Sequence, residues 1–172
     1  MRLLLIALLV NCSSLFVFSR DIQLSVGYGE KDITPDIAVK NWVTGKEYPK
    51  VNDPLLTRVL VISDGATKSV IVSLDLVDAG ESATHEIRKA VGAALGTSEN
   101  NIIVSATHTH SAPWAPVYKK GYRGAEDDTW WAIRHVPAQN DYPPFKKWMQ
   151  KLLDSVVLAA REANSKLQPA TI

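Results

Sequence analysis

Apolar and polar residues alternate or cluster along the chain in patterns that predict several strands. Residues 22–29 alternate between apolar and polar side chains, which is typical of a strand with one face in solvent. Residues 58–63 and 69–74 form two apolar runs, and a short connection containing Gly65 joins them. Two such runs separated by a short turn predict a β-hairpin.

A helix and a further strand are predicted after the hairpin. Ser82 is a suitable N-cap, and apolar residues follow it at helical spacing as far as Gly96, a residue type that commonly ends helices. The β-branched apolar run that begins at Ile102 and is stopped by Pro113 predicts a strand buried on both faces. A strand, a helix and a strand in this order form a parallel pair, so both strands should end at the same edge of a sheet.

The C-terminal part of the sequence predicts one more helix and one more strand. Pro143 and Pro144 open a helix whose apolar residues keep one face buried through about Asn164. The residues from Leu167 onward begin another strand pattern. The predicted fold class is therefore α/β, with a mixed β-sheet flanked by helices and containing a parallel strand-helix-strand unit.

Residues 36–56 show no sustained periodicity and include prolines, so we expect a long loop. Loops of this length in a compact domain often line a site. Asn41 and Trp42 are therefore candidates for the walls of a pocket. A Trp42 that only covers an edge of the core is an equally acceptable interpretation.

The strongest candidate for chemistry is the end of the Ile102 strand, where the sequence reads Thr-His-Thr-His-Ser-Ala-Pro over residues 107–113. Strand geometry would place His108 and His110 on the same side, about 6.5–7 Å apart along the backbone. Open α/β sheets bind ligands beyond the carboxyl ends of their strands. The two histidines are thus candidates for one site, although His-x-His also occurs by chance without any ligand role.

Asp75 ends the second hairpin strand and should lie at the same edge of the sheet as the histidines. A carboxylate among apolar residues is rarely left without a partner. The sequence leaves three roles open for Asp75: a metal ligand, an acceptor that orients a histidine, or a cap of a turn.

The remaining histidines and the aromatic residues give weaker signals. His85 falls in the first turns of an amphipathic helix and should be solvated, whereas the sequence does not assign a role to His135. The aromatic-rich stretch 114–131 predicts either an apolar wall for a lipid-like substrate or an insertion that packs on itself.

Composition narrows the class of protein. The chain has 172 residues, 46% of them hydrophobic, which suits one globular domain. The formal net charge is +1 and no long basic or acidic run occurs, so the sequence predicts no nucleic-acid partner. A small molecule is the expected partner, and no protein partner is predicted.

Residues 1–19 have the order of features found in a secretory signal peptide. Met1 and Arg2 precede a short apolar run, and Val17 and Ser19 supply small residues at the −3 and −1 positions of a cleavage site before Arg20. The sequence therefore predicts export to the periplasm or the extracellular space. Cys12 is the single cysteine, so the mature chain would contain no disulfide.

At residues 107–113 the sequence resembles the neutral/alkaline non-lysosomal ceramidase family, whose N-terminal domain carries a Thr-His-Thr-His-Ser-Gly/Ala-Pro run after an apolar strand. Residues 27–35, 53–55 and 72–75 agree with the family more loosely. The resemblance implies that His108 binds a catalytic zinc ion and that His110 lies beside the substrate as a catalytic residue. Apart from the resemblance, the position of Asp75 at the same edge of the sheet makes it a further candidate metal ligand.

The resemblance also implies an activity and an incomplete site. The expected enzyme is an exported zinc-dependent amidase that hydrolyses the N-acyl bond of a ceramide-like lipid to a fatty acid and a sphingoid base, with peripheral contact to membrane lipid. The family's other ligands, a histidine, a glutamate and a tyrosine, lie further along its chains. Residues 20–172 would then be the N-terminal portion of a catalytic domain, inactive alone.

Two alternatives remain open at this stage. Family members with ceramide activity commonly have glycines where this chain has Trp114, Ala115 and Pro116. That departure leaves open a metal hydrolase of the same fold that acts on another amide or ester. A different class of protein, an exported metal-binding protein without catalysis, is also consistent with the histidines.

Overall fold

The structure is a computed structural model, and it describes residues 23–41, 44–114 and 142–171. The predicted signal peptide, Trp42, His135 and nearly all of the aromatic-rich stretch lie outside the described residues. The elements in chain order are β1 (Leu24–Asp32), β2 (Leu56–Ser63), β3 (Lys68–Leu74), α1 (Glu81–Leu95), a 3-10 turn (Glu99–Asn101), β4 (Ile102–Ala106), α2 (Pro143–Ser165) and β5 (Gln168–Ala170).

The described strands form one mixed five-stranded sheet in the order β4-β3-β2-β1-β5. β2 and β3 form the predicted hairpin, and β1 pairs antiparallel with both β2 and β5. β3 and β4 are parallel and are connected through α1. The prediction of an α/β fold with a parallel strand-helix-strand unit is therefore confirmed.

Both helices pack on one face of the sheet. Valines at alternate positions of β2 and β3 join Ile102 of β4 and the apolar residues of α1 and α2 in a single buried core. β1 contributes Gly27 and Gly29 to this face, and a Cβ atom built at Gly29 would lie 2.2 Å from the carbonyl oxygen of Ala159 in α2. The glycines therefore let the backbone of α2 lie directly on β1.

The opposite face of the sheet carries Tyr28, Leu60, Ile71 and Ile103 in one cross-strand row. Ile103 is 61% exposed, whereas the adjacent Ile102 is fully buried. The prediction that this strand is buried on both faces is therefore wrong. Among the described strands β4 lies at the edge of the sheet, and the described helices cover only the face that carries Ile102.

The ends of the helices agree with the sequence except at one position. α1 begins at Glu81 with Gly80 as its N-cap, so Ser82 is not the cap but a buried residue of the first turn. Gly96 ends α1 in the left-handed conformation with φ of 65°, as predicted. α2 starts at Pro143 and extends to Ser165, close to the predicted end. Neither of the described helices combines the length and the apolar composition that crossing a membrane requires.

Candidate functional site

The register of the parallel strands brings the two candidate segments together. Leu74 at the end of β3 pairs with Ala106 at the end of β4. The backbone N–H of Thr107 donates to the carbonyl oxygen of Leu74 at 2.9 Å. Asp75 and the histidine segment therefore leave the sheet at the same edge, as the sequence predicts.

His108 does not continue the strand. β4 ends at Ala106, and His108 has a φ of 61°, in the left-handed region that residues other than glycine seldom adopt. Strand alternation thus does not set the relative position of the two histidines, and the predicted separation along an extended backbone does not apply.

The two imidazole rings are in contact. The Nε2 atoms of His108 and His110 lie 3.3 Å apart. The ring centroids are 4.9 Å apart and the ring planes are inclined by 78°, an edge-to-face arrangement. The expectation that both histidines serve one site is therefore consistent with the geometry, although a turn and not a strand produces it.

A backbone carbonyl group orients His108. The Nδ1 atom of His108 lies 2.8 Å from the carbonyl oxygen of Val77. A carbonyl oxygen only accepts hydrogen bonds, so Nδ1 carries a proton and donates it. In the neutral ring this leaves the lone pair on Nε2, the arrangement of a histidine that binds metal through Nε2.

The segment after β3 is itself held firmly. Leu76 and Val77 are buried, and the N–H of Val77 donates to the carbonyl oxygen of Pro113 at 3.4 Å. Val77 thus contacts both ends of the histidine segment. Sequence reasoning missed this residue, because a backbone acceptor leaves no signal in the identity of its side chain.

A cleft of about 540 Å³ opens beside His110. One wall is formed by Thr109, His110, Ser111 and Pro113, and the other by residues of the long loop between β1 and β2. The loop residues that line it are Thr34, Pro35, Asp36, Ile37, Asn41, Tyr48, Pro49, Lys50, Val51, Asn52, Asp53 and Leu55. The prediction that Asn41 forms part of a pocket wall is confirmed.

Hydrogen bonds close the base of this loop against the core. The N–H of Ile33 donates to the carbonyl oxygen of Leu55 at 2.8 Å, and the N–H of Leu55 donates to Oγ1 of Thr34 at 2.9 Å. The indole N–H of the buried Trp148 in α2 donates to the carbonyl oxygen of Ile33 at 2.7 Å. Burial also raises the pKa of Tyr48 to about 12, so its hydroxyl group stays protonated near neutral pH. The hydrogen bonds of Ile33, Leu55 and Trp148 therefore anchor the loop that forms one wall of the cleft.

Asp75 is engaged by groups of β2. Each of its two carboxylate oxygens lies 3.0 Å from Nη1 of Arg58. Its Oδ2 atom also accepts a hydrogen bond from the backbone N–H of Leu56 at 3.1 Å. Within the described residues no cluster of three or more His, Cys, Asp or Glu side chains could hold a metal ion. The metal-ligand role of Asp75 stays a prediction, and the contacts described here are an ion pair and a backbone hydrogen bond to the neighbouring strand β2.

Of the remaining histidines, only His85 lies in the part of the chain that the structure describes. His85 is half-exposed on α1, with Nδ1 3.9 Å from Oε2 of Glu99. His135 lies outside the described residues. Trp114, which directly follows the cleft residue Pro113, is buried and only 3% exposed.

The fold and the histidine pair together define an α/β domain with a candidate ligand site at the carboxyl edge of a parallel strand pair. Comparison with solved structures finds the same fold in neutral ceramidases. The neutral ceramidase from Pseudomonas aeruginosa matches with a TM-score of 0.62 and 21% identity over 87% of this chain. A structure described as ceramidase complexed with C2 matches with a TM-score of 0.64 and 22% identity, also over 87% of this chain.

The match concerns the fold and a limited part of those proteins. This chain covers 22% of the length of each matched ceramidase chain. Comparison of the sequence with protein-family profiles found no match, and comparison with curated proteins found none either. The chain is thus a domain with a neutral-ceramidase-like fold, as the resemblance at residues 107–113 indicates.

Proposed function

We propose that this chain forms part of a zinc-dependent amidase that hydrolyses the N-acyl bond of a ceramide-like lipid. The observation that supports this most is the contact between His108 and His110 at the carboxyl edge of β3 and β4, in a domain with a neutral-ceramidase-like fold. The cleft is lined by His110, so a substrate held there would lie beside this ring.

The residues present fit one ligand position of a zinc site. Because His108 donates through Nδ1 to Val77, its Nε2 atom carries the lone pair through which it would bind a metal ion. Hydrolytic zinc sites use three protein ligands, and the described residues hold no group of three candidate ligands, so at least one further ligand would come from other residues. When bound, zinc supplies a water molecule that is nucleophilic near neutral pH.

This chain's own residues would position the amide for attack. His110 faces the cleft and would donate a hydrogen bond to the amide carbonyl oxygen, on which negative charge develops as water adds to the carbon. The C–N bond then breaks, the nitrogen takes up a proton, and a fatty acid and a sphingoid base leave. The wall formed by the long loop would hold the substrate beside this donor.

The protein would meet its lipid substrate outside the cytoplasm. The order of charged, apolar and small residues in 1–19 supports a cleaved signal peptide. N-terminal sequencing of the exported product should then give Arg20 as the first residue. Recovery of the protein in the cytoplasm with Met1 intact would refute export.

A second candidate is a metal hydrolase of this fold that acts on another amide or an ester. The observation that favours it is the buried Trp114 directly after Pro113, a bulky residue where ceramide-hydrolysing relatives commonly have glycine.

Hydrolysis of ceramides, short N-acyl amines and fatty-acid esters by the full-length protein distinguishes the two candidates. In all assays His108→Ala should abolish turnover, while His85→Ala on α1 should not change it. Full activity in His108→Ala would refute both candidates.

A further inference from the structure

The hydrogen-bonding roles of the histidine pair follow from one fixed group. The Val77 carbonyl oxygen can only accept, so His108 places its proton on Nδ1 and, when neutral, keeps a lone pair on Nε2. The Nε2 of His110 lies 3.3 Å from that atom. Two lone pairs would repel at this distance, so the Nε2 of a neutral His110 must carry a proton and donate it to His108.

This arrangement places two demands on a single lone pair. The Nε2 atom of His108 accepts the proton of His110, and it is also the atom through which His108 would bind zinc. One lone pair cannot do both. We propose that metal binding at His108 displaces the His110 hydrogen bond and so makes the Nε2–H of His110 available to a substrate carbonyl group in the cleft.

The inference rests on the proposed function, and it adds a coupling between the two histidines. His108 is the fixed member, because Val77 is buried and the backbone of His108 is held in a left-handed turn. Both side chains are exposed, but of the two only His110 lines the cleft. The donor would therefore move from His108 to a substrate through a change at His110, the residue that lines the cleft. Without metal, the donor is held back from substrate.

The test measures zinc binding and does not depend on turnover. The full-length wild-type protein, His110→Ala, His108→Ala and the control His85→Ala are titrated with zinc against a chromophoric chelator. His110→Ala removes the competing hydrogen bond and should bind zinc about two- to tenfold more tightly than wild type. His108→Ala should lose high-affinity zinc, and His85→Ala should match wild type.

Each outcome bears on a different statement. Zinc binding that does not depend on His108 overturns the proposed function and this inference with it. Zinc binding that depends on His108 but is unchanged in His110→Ala overturns only the coupling. Weaker binding in His110→Ala by tenfold or more would make His110 a ligand itself and would also overturn the coupling.

A second measurement uses the wild-type protein and does not depend on a variant that folds. Imidazole nitrogen and proton NMR signals are recorded before and after zinc is added. The Nε2–H signal of His110 should shift upfield and exchange faster with water, since its acceptor is lost, while Nε2 of His110 keeps its proton. Loss of that proton to a metal-bound nitrogen, or an unchanged His110 signal, would overturn the inference.

Discussion

The Nδ1 atom of His108 donates a hydrogen bond to the carbonyl oxygen of Val77 at 2.8 Å. A loop that follows β3 thereby fixes the histidine that follows β4. Because these strands are parallel neighbours, the register of the sheet determines which atom of His108 points to the candidate site. In the proposed zinc site, a ligand held in this way would lose little orientational freedom when metal binds.

The two histidines should differ in how their loss affects the enzyme. In the full-length protein His108→Ala should lose bound zinc and activity together, because it removes a ligand. His110→Ala should retain zinc while its turnover falls by about 10²–10³-fold, the usual effect of losing one donor to an oxyanion. Zinc content and kcat are measured for both variants, with His85→Ala as the matched control. Equal loss of metal in both variants would contradict this division of roles.

Asp75 should prove to be a structural residue of the β2–β3 pair. Asp75→Asn weakens the interactions with Arg58 and the N–H of Leu56, and we expect it to lower the free energy of unfolding by about 1 kcal/mol. Arg58→Met should cause a similar loss, and the double variant should lose less than the sum.

Zinc affinity distinguishes this role from that of a metal ligand. A structural Asp75 leaves the zinc dissociation constant of Asp75→Asn close to the wild-type value. A decrease of tenfold or more in affinity, with Arg58→Met unaffected, would instead identify Asp75 as a ligand.

Adjacent isoleucines of β4 provide a matched test of which face of the sheet is covered. Ile102 is fully buried in the core, and Ile103 is 61% exposed on the other face. Ile102→Ala should lower the free energy of unfolding by about 2–5 kcal/mol, whereas Ile103→Ala should change it by less than about 1 kcal/mol. Denaturant unfolding of both variants measures the difference. Equal losses would mean that both faces of β4 are covered.

Gly29 should not tolerate a side chain. Its Cβ would lie 2.2 Å from the carbonyl oxygen of Ala159, so Gly29→Ala must displace α2 and should cost at least about 1–3 kcal/mol of stability. Gly65→Ala is the control, since its Cβ meets nothing within 4 Å and only the left-handed backbone at φ of 87° opposes it. That backbone cost is about 1–2 kcal/mol. A loss well below about 1 kcal/mol for Gly29→Ala would contradict close packing of α2 on β1.

Local patterns were sufficient to predict the hairpin, the parallel β3–α1–β4 unit and the last helix. Each depends on periodicity and on glycine or proline at an end, which the sequence displays directly. The start of α1 was misplaced because Gly80 and Ser82 are both acceptable caps, and propensity alone does not choose between them.

The burial of β4 and the details of the site needed the tertiary structure. Ile102, Ile103 and Val104 are all apolar, so no alternation shows which face the helices cover. The left-handed backbone of His108 has no glycine to signal it, and the acceptor at Val77 is a main-chain group. The sequence predicted one site for both histidines, but it could not give the contact between their rings.

Stability at acidic pH should depend on Glu162 of α2. Its carboxylate accepts a hydrogen bond from Lys166 at 2.5 Å and another from Lys31 of β1, so it links the helix to the sheet. Both hydrogen bonds lower the pKa of Glu162, which falls from 4.5 to about 2, and the bond from Lys166 has the larger effect. A carboxylate whose pKa is lowered by folding stabilises the folded state above its unfolded pKa, and this contribution is lost as the pH falls through the folded value.

The expected consequence is that Glu162→Gln lowers the melting temperature near neutral pH and flattens its decline between about pH 4.5 and pH 2. Thermal unfolding from pH 7 to pH 2 measures this, with Glu47→Gln as the control for loss of one negative charge elsewhere on the surface. Because the three side chains are partly exposed, 1 M salt should reduce the difference between wild type and Glu162→Gln. Parallel pH curves for the two proteins would show that the Lys31–Glu162–Lys166 contacts do not contribute to stability.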